Sequence, residues 1–122
     1  LSMCVFVLSI FNPENLIADV GDLYQCKMVE NLGITDGNLS NLEKYELQEF
    51  SFTREETKLI FGAEDNYFQG AEYEVGKSFE KMFLARKDQG QIAYNVQNFY
   101  YTFTSYANVI LITAKCTIHK NN

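Results

Sequence analysis

Apolar and polar positions alternate most regularly over residues 91–119. Ile92, Tyr94 and Val96 alternate with Ala93, Asn95 and Gln97, and after Asn98 the apolar residues fall on the other parity as Phe99, Tyr101 and Phe103. Period two with one register fault predicts strand structure interrupted by a bulge or tight bend. Beyond Ser105-Tyr-Ala-Asn108, Ile110, Ile112, Ala114, Cys116 and Ile118 alternate with a face that turns polar at Thr113, Lys115, Thr117 and His119. One dry face and one wet face predict antiparallel pairing.

The rest of the chain reads as packing around that sheet. Residues 1–11 form an apolar run that stops at Asn12-Pro13. The run is shorter than the roughly 20 residues a membrane helix needs. Without a basic flank or a small-residue cleavage site, it reads as a buried strand or core helix. Residues 15–28 allow two readings: a helix opened by Pro13 with Leu16, Val20 and Leu23 on one face, or a hairpin across Gly21-Asp22, which is preferred. Residues 29–48, dense in Asn, Gly, Asp and Ser, read as an extended loop. Thr53 with Glu56 forms a capping-box pattern, and Leu59 and Ile60 before Gly62 supply an apolar stripe and a stop, which predicts a helix over residues 54–61. Residues 66–77 suggest a strand pair broken at Gly70, residues 79–87 another strand, and residues 87–90 a turn. The expected fold is a single α+β domain over residues 1–122: one antiparallel meander sheet of five to seven strands flanked by short helices.

Charge and cysteine content change the functional picture. The chain carries a net −6, split as fourteen acids and four bases over residues 1–76 (−10) against two acids and six bases over residues 77–122 (+4). A basic patch on an acidic protein suits an acidic protein partner better than nucleic acid. Three cysteines, Cys4, Cys26 and Cys116, show no paired spacing and read as reduced core thiols of a cytoplasmic protein. With His119 the one histidine, neither a nucleophile–His pair nor a multi-histidine metal site is expected, and no cofactor or enzymatic activity is called for.

The order of segments resembles profilin, the small actin-monomer-binding family. Phe52-Thr-Arg-Glu-Glu-Thr-Lys-Leu-Ile60 resembles its capped helix and Tyr67-Phe-Gln-Gly-Ala-Glu-Tyr-Glu-Val75 the segment after it. Phe83-Leu-Ala-Arg-Lys87, Gly90, Tyr94-Asn-Val96 and Val109-Ile-Leu-Ile-Thr-Ala-Lys115 resemble the later strands. The resemblance implies a profilin-like protein that binds actin or an actin-like protein and regulates its polymerisation. Lys77, Lys81, Arg86, Lys87 and His119 would be the basic contacts, and Tyr73 and Val75 the apolar ones. Profilins grip proline-rich peptides with an N-terminal Trp and a C-terminal helix; this chain has no Trp, so such peptides are expected to bind weakly or not at all. The alternative reading is a small apolar-ligand carrier, with the aromatic strands curled into a barrel or cone.

Overall fold

A computed structural model describes residues 20–64, 67–79 and 82–120. The strands are β1 (Leu23–Ile34), β2 (Leu42–Lys44), β3 (Glu49–Arg54), β4 (Lys58–Phe61), β5 (Glu72–Phe79), β6 (Met82–Lys87), β7 (Gly90–Asn95), β8 (Asn98–Ser105) and β9 (Asn108–His119). A single 3-10 turn, Leu39–Asn41, precedes β2, and no α-helix occurs among the described residues. All pairings are antiparallel and follow chain order, and β9 returns to pair with β1 from Leu23↔His119 to Ile34↔Val109. The sheet is thus a closed barrel of eight strands, with β2 added beside the far half of β1. This overturns the expected open α+β sheet flanked by helices.

The capping-box segment shows why. Phe50, Phe52 and Arg54 on β3 and Leu59 and Phe61 on β4 all point inward and are buried, which is period two on both sides of a turn at residues 55–57. Thr53, expected to cap a helix, pairs with Ile60 across the hairpin and with Leu23 of β1. A capping box is worth about 1 kcal/mol, whereas fully burying a Phe or Leu side chain is worth about 1.5–3 kcal/mol. Four such side chains outweigh the local signal.

Part of the segment expected to be a long loop is strand, at residues 29–34 and Leu42–Lys44. Residues 29–34 continue β1 against β9, after a bulge between Met28 and Glu30 that shifts the inward positions to Asn31 and Gly33. Asn31 donates its amide to the Glu46 carbonyl at 2.9 Å, and a Cβ on Gly33 would stand 2.6 Å from the Tyr45 ring, so the glycine makes room for that ring. Of the 15–28 hairpin, residues 23–28 form the start of β1, and residues 15–19 lie outside the described residues, as do residues 1–11. The register fault at Asn98 is a hairpin turn: Asn95 pairs with Asn98 around Val96-Gln97.

Aromatic rings fill the barrel. Tyr24 stacks on Phe52 at 4.6 Å, Phe61 on Phe68 at 4.2 Å and Phe83 on Tyr94 at 5.0 Å, with Phe50 and Phe99 edge-on between them at 4.9 Å. Eight strands leave an interior that side chains of this size fill. At one end, Arg54 closes the barrel. Its guanidinium lies 5.5 Å over the Phe83 ring, donating to the Ser78 hydroxyl at 3.3 Å and to the carbonyls of Glu55 and Glu56. Beside it the buried Asp22 carboxylate pairs with Lys120 at 3.1 Å.

Cys26 and Cys116 face each other across the β1–β9 seam and form a disulfide. This corrects the expectation of reduced thiols. The two cysteines are 90 residues apart, and only closure of the barrel brings them together.

Candidate binding surfaces

Among the described residues no cluster of His, Cys, Asp or Glu converges to hold a metal ion, and no helix is long and apolar enough to cross a membrane. Two features remain that can recognise another molecule, one on the wall of the barrel and one at its mouth.

The wall site covers β5 to β8. Pairing sets Leu84 opposite Ala93 and Ala93 opposite Tyr100, a row of outward side chains across three strands. On the next rung Met82 faces Phe79. Phe79 is 66% exposed, Leu84 51%, Tyr100 43% and Met82 40%, so large apolar groups stand side by side in water rather than singly. Between Val75 and Ser78 the β5–β6 register shifts, so that Gly76 and Lys77 together oppose Leu84. A bulge of this kind re-aims a side chain. Lys77 and Arg86 line one groove of about 380 Å³ with Glu74, Leu84 and Tyr100, two bases against one acid, and a second hollow of about 580 Å³ adjoins it around Lys77, Phe79, Met82 and Leu84.

The structure therefore gathers part of the expected basic surface. Lys77 and Arg86 share the groove, and Lys87 is exposed at the end of β6. His119 ends β9 against Leu23, with strands β6, β7 and β8 lying between β5 and β9, so it does not join them. Lys81 lies outside the described residues. The two apolar contacts are displaced: Tyr73 is buried in the barrel, and Val75 is half-buried against the core, because both occupy inward positions of β5 before the bulge. The apolar groups that do face out, Phe79, Met82, Leu84 and Tyr100, were missed. Their sequence signal is the unbroken run Met82-Phe83-Leu84-Ala85, apolar on both faces of a strand that has only one face in the core.

The mouth lies at the opposite end from Arg54. A cavity of about 290 Å³ opens there between Tyr67, Phe68, Tyr73, Tyr101, Phe103 and Ile110. The hydroxyls of Tyr73 and Tyr101 share a hydrogen bond at 3.3 Å. Gly90 lies directly against them: a Cβ there would stand 3.0 Å from the Tyr101 hydroxyl and 3.3 Å from that of Tyr73. Burial pushes Tyr67 up to about 12, with the Tyr101 and Tyr45 phenols adding to it. Burial also raises Tyr101, and it raises Tyr73, to which Asp88 contributes. Burial thus keeps these phenols neutral at physiological pH.

Compared with protein-family models, curated proteins and solved structures, the chain finds no match in any of the three.

Proposed function

We propose that this barrel is a non-catalytic binding module that docks a protein partner on the wall formed by β5 to β8. The observation that carries this reading is the contiguity of exposed Phe79, Met82, Leu84 and Tyr100 with Lys77 and Arg86. An apolar centre with charged groups beside it is the anatomy of a recognition surface, in which the centre supplies affinity and the charges supply encounter rate and orientation. The partner is acidic around an apolar contact. The profilin resemblance would make it actin or an actin-like protein. Two observations move the proposal from that identity to the partner's chemistry alone: the segment likened to the profilin helix is a hairpin, and a structural disulfide suits an oxidising compartment better than the cytoplasm. The lumen is filled by rings, so an apolar-ligand carrier has support at the mouth alone.

The test is binding to a panel of purified acidic and basic proteins, monomeric actin among them, by the wild type and two variants. Lys77→Glu with Arg86→Glu should slow association with acidic partners and flatten its salt dependence, while Leu84→Glu should abolish the complex. All these positions are exposed, so the fold should survive. Binding that neither variant alters would refute a wall site.

A further inference from the structure

The turn that follows β1 is fixed in place and presents an exposed asparagine. Asp36 and Gly37 both hold left-handed backbone, at φ 58° and 62°. The Gly37 amide donates to the Ala107 carbonyl at 2.6 Å and the Asp36 amide to Asn108 Oδ1 at 3.3 Å, which ties the turn to the β8–β9 connection. Asn38 comes next, exposed, at the start of the 3-10 turn. Its backbone belongs to the turn, donating to the Thr35 carbonyl at 3.3 Å and accepting from the Asn41 amide at 2.8 Å. Its side chain engages Ser40: Oδ1 accepts from the Ser40 amide at 3.0 Å and from the Ser40 hydroxyl at 2.8 Å. Nδ2 has no acceptor among the described residues.

Asn38-Leu39-Ser40 is the one Asn-x-Ser or Asn-x-Thr triplet in the sequence, and its middle residue is not proline. That triplet is the acceptor pattern for N-linked oligosaccharide on surface loops of secreted proteins. Capping the short turn accounts for a residue such as Asn, Asp or Ser at position 38. It does not account for a hydroxyl two residues on, since the Ser40 backbone amide alone would complete the cap. The hydroxyl has a chemical use. An amide nitrogen is a poor nucleophile because its lone pair is delocalised into the carbonyl. As Nδ2 reacts and gives up a proton, negative charge develops on Oδ1, where the Ser40 amide and hydroxyl already donate. Both bonds span two residues, so the segment makes them without help from the rest of the barrel.

Two further observations agree. The Cys26–Cys116 disulfide marks the same route independently, because such bonds form and persist in oxidising compartments, the lumen of the endoplasmic reticulum among them. The site also has room. β2, four residues on (42 − 38), pairs with β1 alone among the described strands, so its other edge is open. Tyr100 of the wall stands five residues back from the end of β8 (105 − 100), about 17 Å of strand. A sugar chain at Asn38 would screen the open edge and leave the wall free.

We propose that Asn38 is the acceptor of an N-linked oligosaccharide. Nδ2 bonds to the anomeric carbon of a lipid-pyrophosphate-linked sugar. The bond from that carbon to the pyrophosphate oxygen breaks, the lipid pyrophosphate leaves with the electron pair, and Nδ2 loses one proton. The modification is independent of docking on the wall.

The test is peptide mapping by mass spectrometry of the whole chain isolated from the cells that make it, before and after treatment with a peptide N-glycosidase. The peptide holding Asn38 should carry hexose and N-acetylhexosamine mass, and the enzyme should strip it and leave an aspartic acid at that position. Two variants expressed in the same cells separate the triplet from the turn. Ser40→Ala should lose the sugar completely although Asn38 can still cap, and Ser40→Thr should keep it. Ser40 is exposed, so both variants should melt as the unglycosylated wild type does. An Asn38 peptide of unmodified mass from folded, disulfide-bonded wild type would overturn the proposal, and so would sugar retained by Ser40→Ala.

Discussion

Replacing Cys26 and Cys116 together by Ala opens the seam's only covalent tie among the described residues, and the cost follows from the length of chain it closes. In the chain-entropy account, a cross-link over n residues removes about 2.1 + 1.5R ln n cal/mol/K from the unfolded ensemble. The separation is 90 residues, so the native disulfide contributes about 4.6 kcal/mol at 25 °C. A domain of this size has about 5–15 kcal/mol in total, so a third or more of its stability rests on one bond. The melting temperature should fall by roughly 14–23 °C, taking about 3–5 °C per kcal/mol. Urea unfolding followed by tyrosine fluorescence measures the loss. The m value should rise slightly, because the uncrosslinked chain unfolds to a more expanded state. A second arm uses the wild type with reductant. Both cysteines are only 2% exposed, so the bond should resist reduction in native buffer and yield only once urea opens the barrel. A double variant that loses less than about 1 kcal/mol, or a wild type reduced while still folded, would refute the assignment of the seam as the barrel's main constraint.

Three other outcomes are expected. Gly90→Ala places a methyl 3.0 Å from the Tyr101 hydroxyl and should destabilise by about 1–3 kcal/mol as an overpacked site; an unchanged melting temperature would show that the phenol pair yields freely. Val96 holds a φ of 62° in a two-residue hairpin loop, a conformation costly for a β-branched residue. Val96→Asn should therefore stabilise by about 1 kcal/mol, and a lower urea midpoint would contradict it. Burial pushes Tyr67 and Tyr94 up to about 12 and raises Tyr101 and Tyr73, whereas an unfolded phenol ionises near about 10. The folded barrel therefore keeps protons that the unfolded chain releases: this stabilisation is full below about pH 10 and lost as pH rises toward about 12. Urea midpoints that stay level from pH 9 to 11.5 would rule that out.

Much of the sheet was legible because alternation there is strict. Ile92, Tyr94, Phe99, Tyr101, Ile112, Ala114 and Cys116 are all buried on the parity that the sequence displays. The loop-like reading of residues 29–34 failed where the inward positions are Asn31 and Gly33, which bear no hydrophobic signal and are justified only by Glu46 and Tyr45 from elsewhere in the chain. The helix reading of residues 54–61 failed because a short-range capping pattern competes poorly with ring packing that is visible only in three dimensions. Closure could not be read at all: β1 and β9 each look like an edge, and nothing local says that they meet. Of the candidate surface, Lys77 and Arg86 were legible as part of the basic half, but the exposed apolar residues beside them were hidden by the assumption that apolar strand residues face inward.

The seam has a consequence for how the molecule comes to fold. The other described strand pairs join chain no more than 30 residues apart (Leu23↔Thr53, 53 − 23), most of them as hairpins, whereas β1 must find β9 across 90 residues. Such non-local pairing is slow. Until it happens the nascent sheet has two bare edges, each up to twelve residues long and ready to pair with another chain. The same edges are hidden in the closed barrel, so the danger of aggregation is confined to the interval before closure. Cys26 and Cys116 stand opposite each other in the closed register, so a disulfide made there locks the correct pairing and ends that interval. A chain that closes without the bond, as the Cys26→Ala, Cys116→Ala variant must, keeps a seam held by hydrogen bonds and packing alone, and stays open to strand exchange with its own copies.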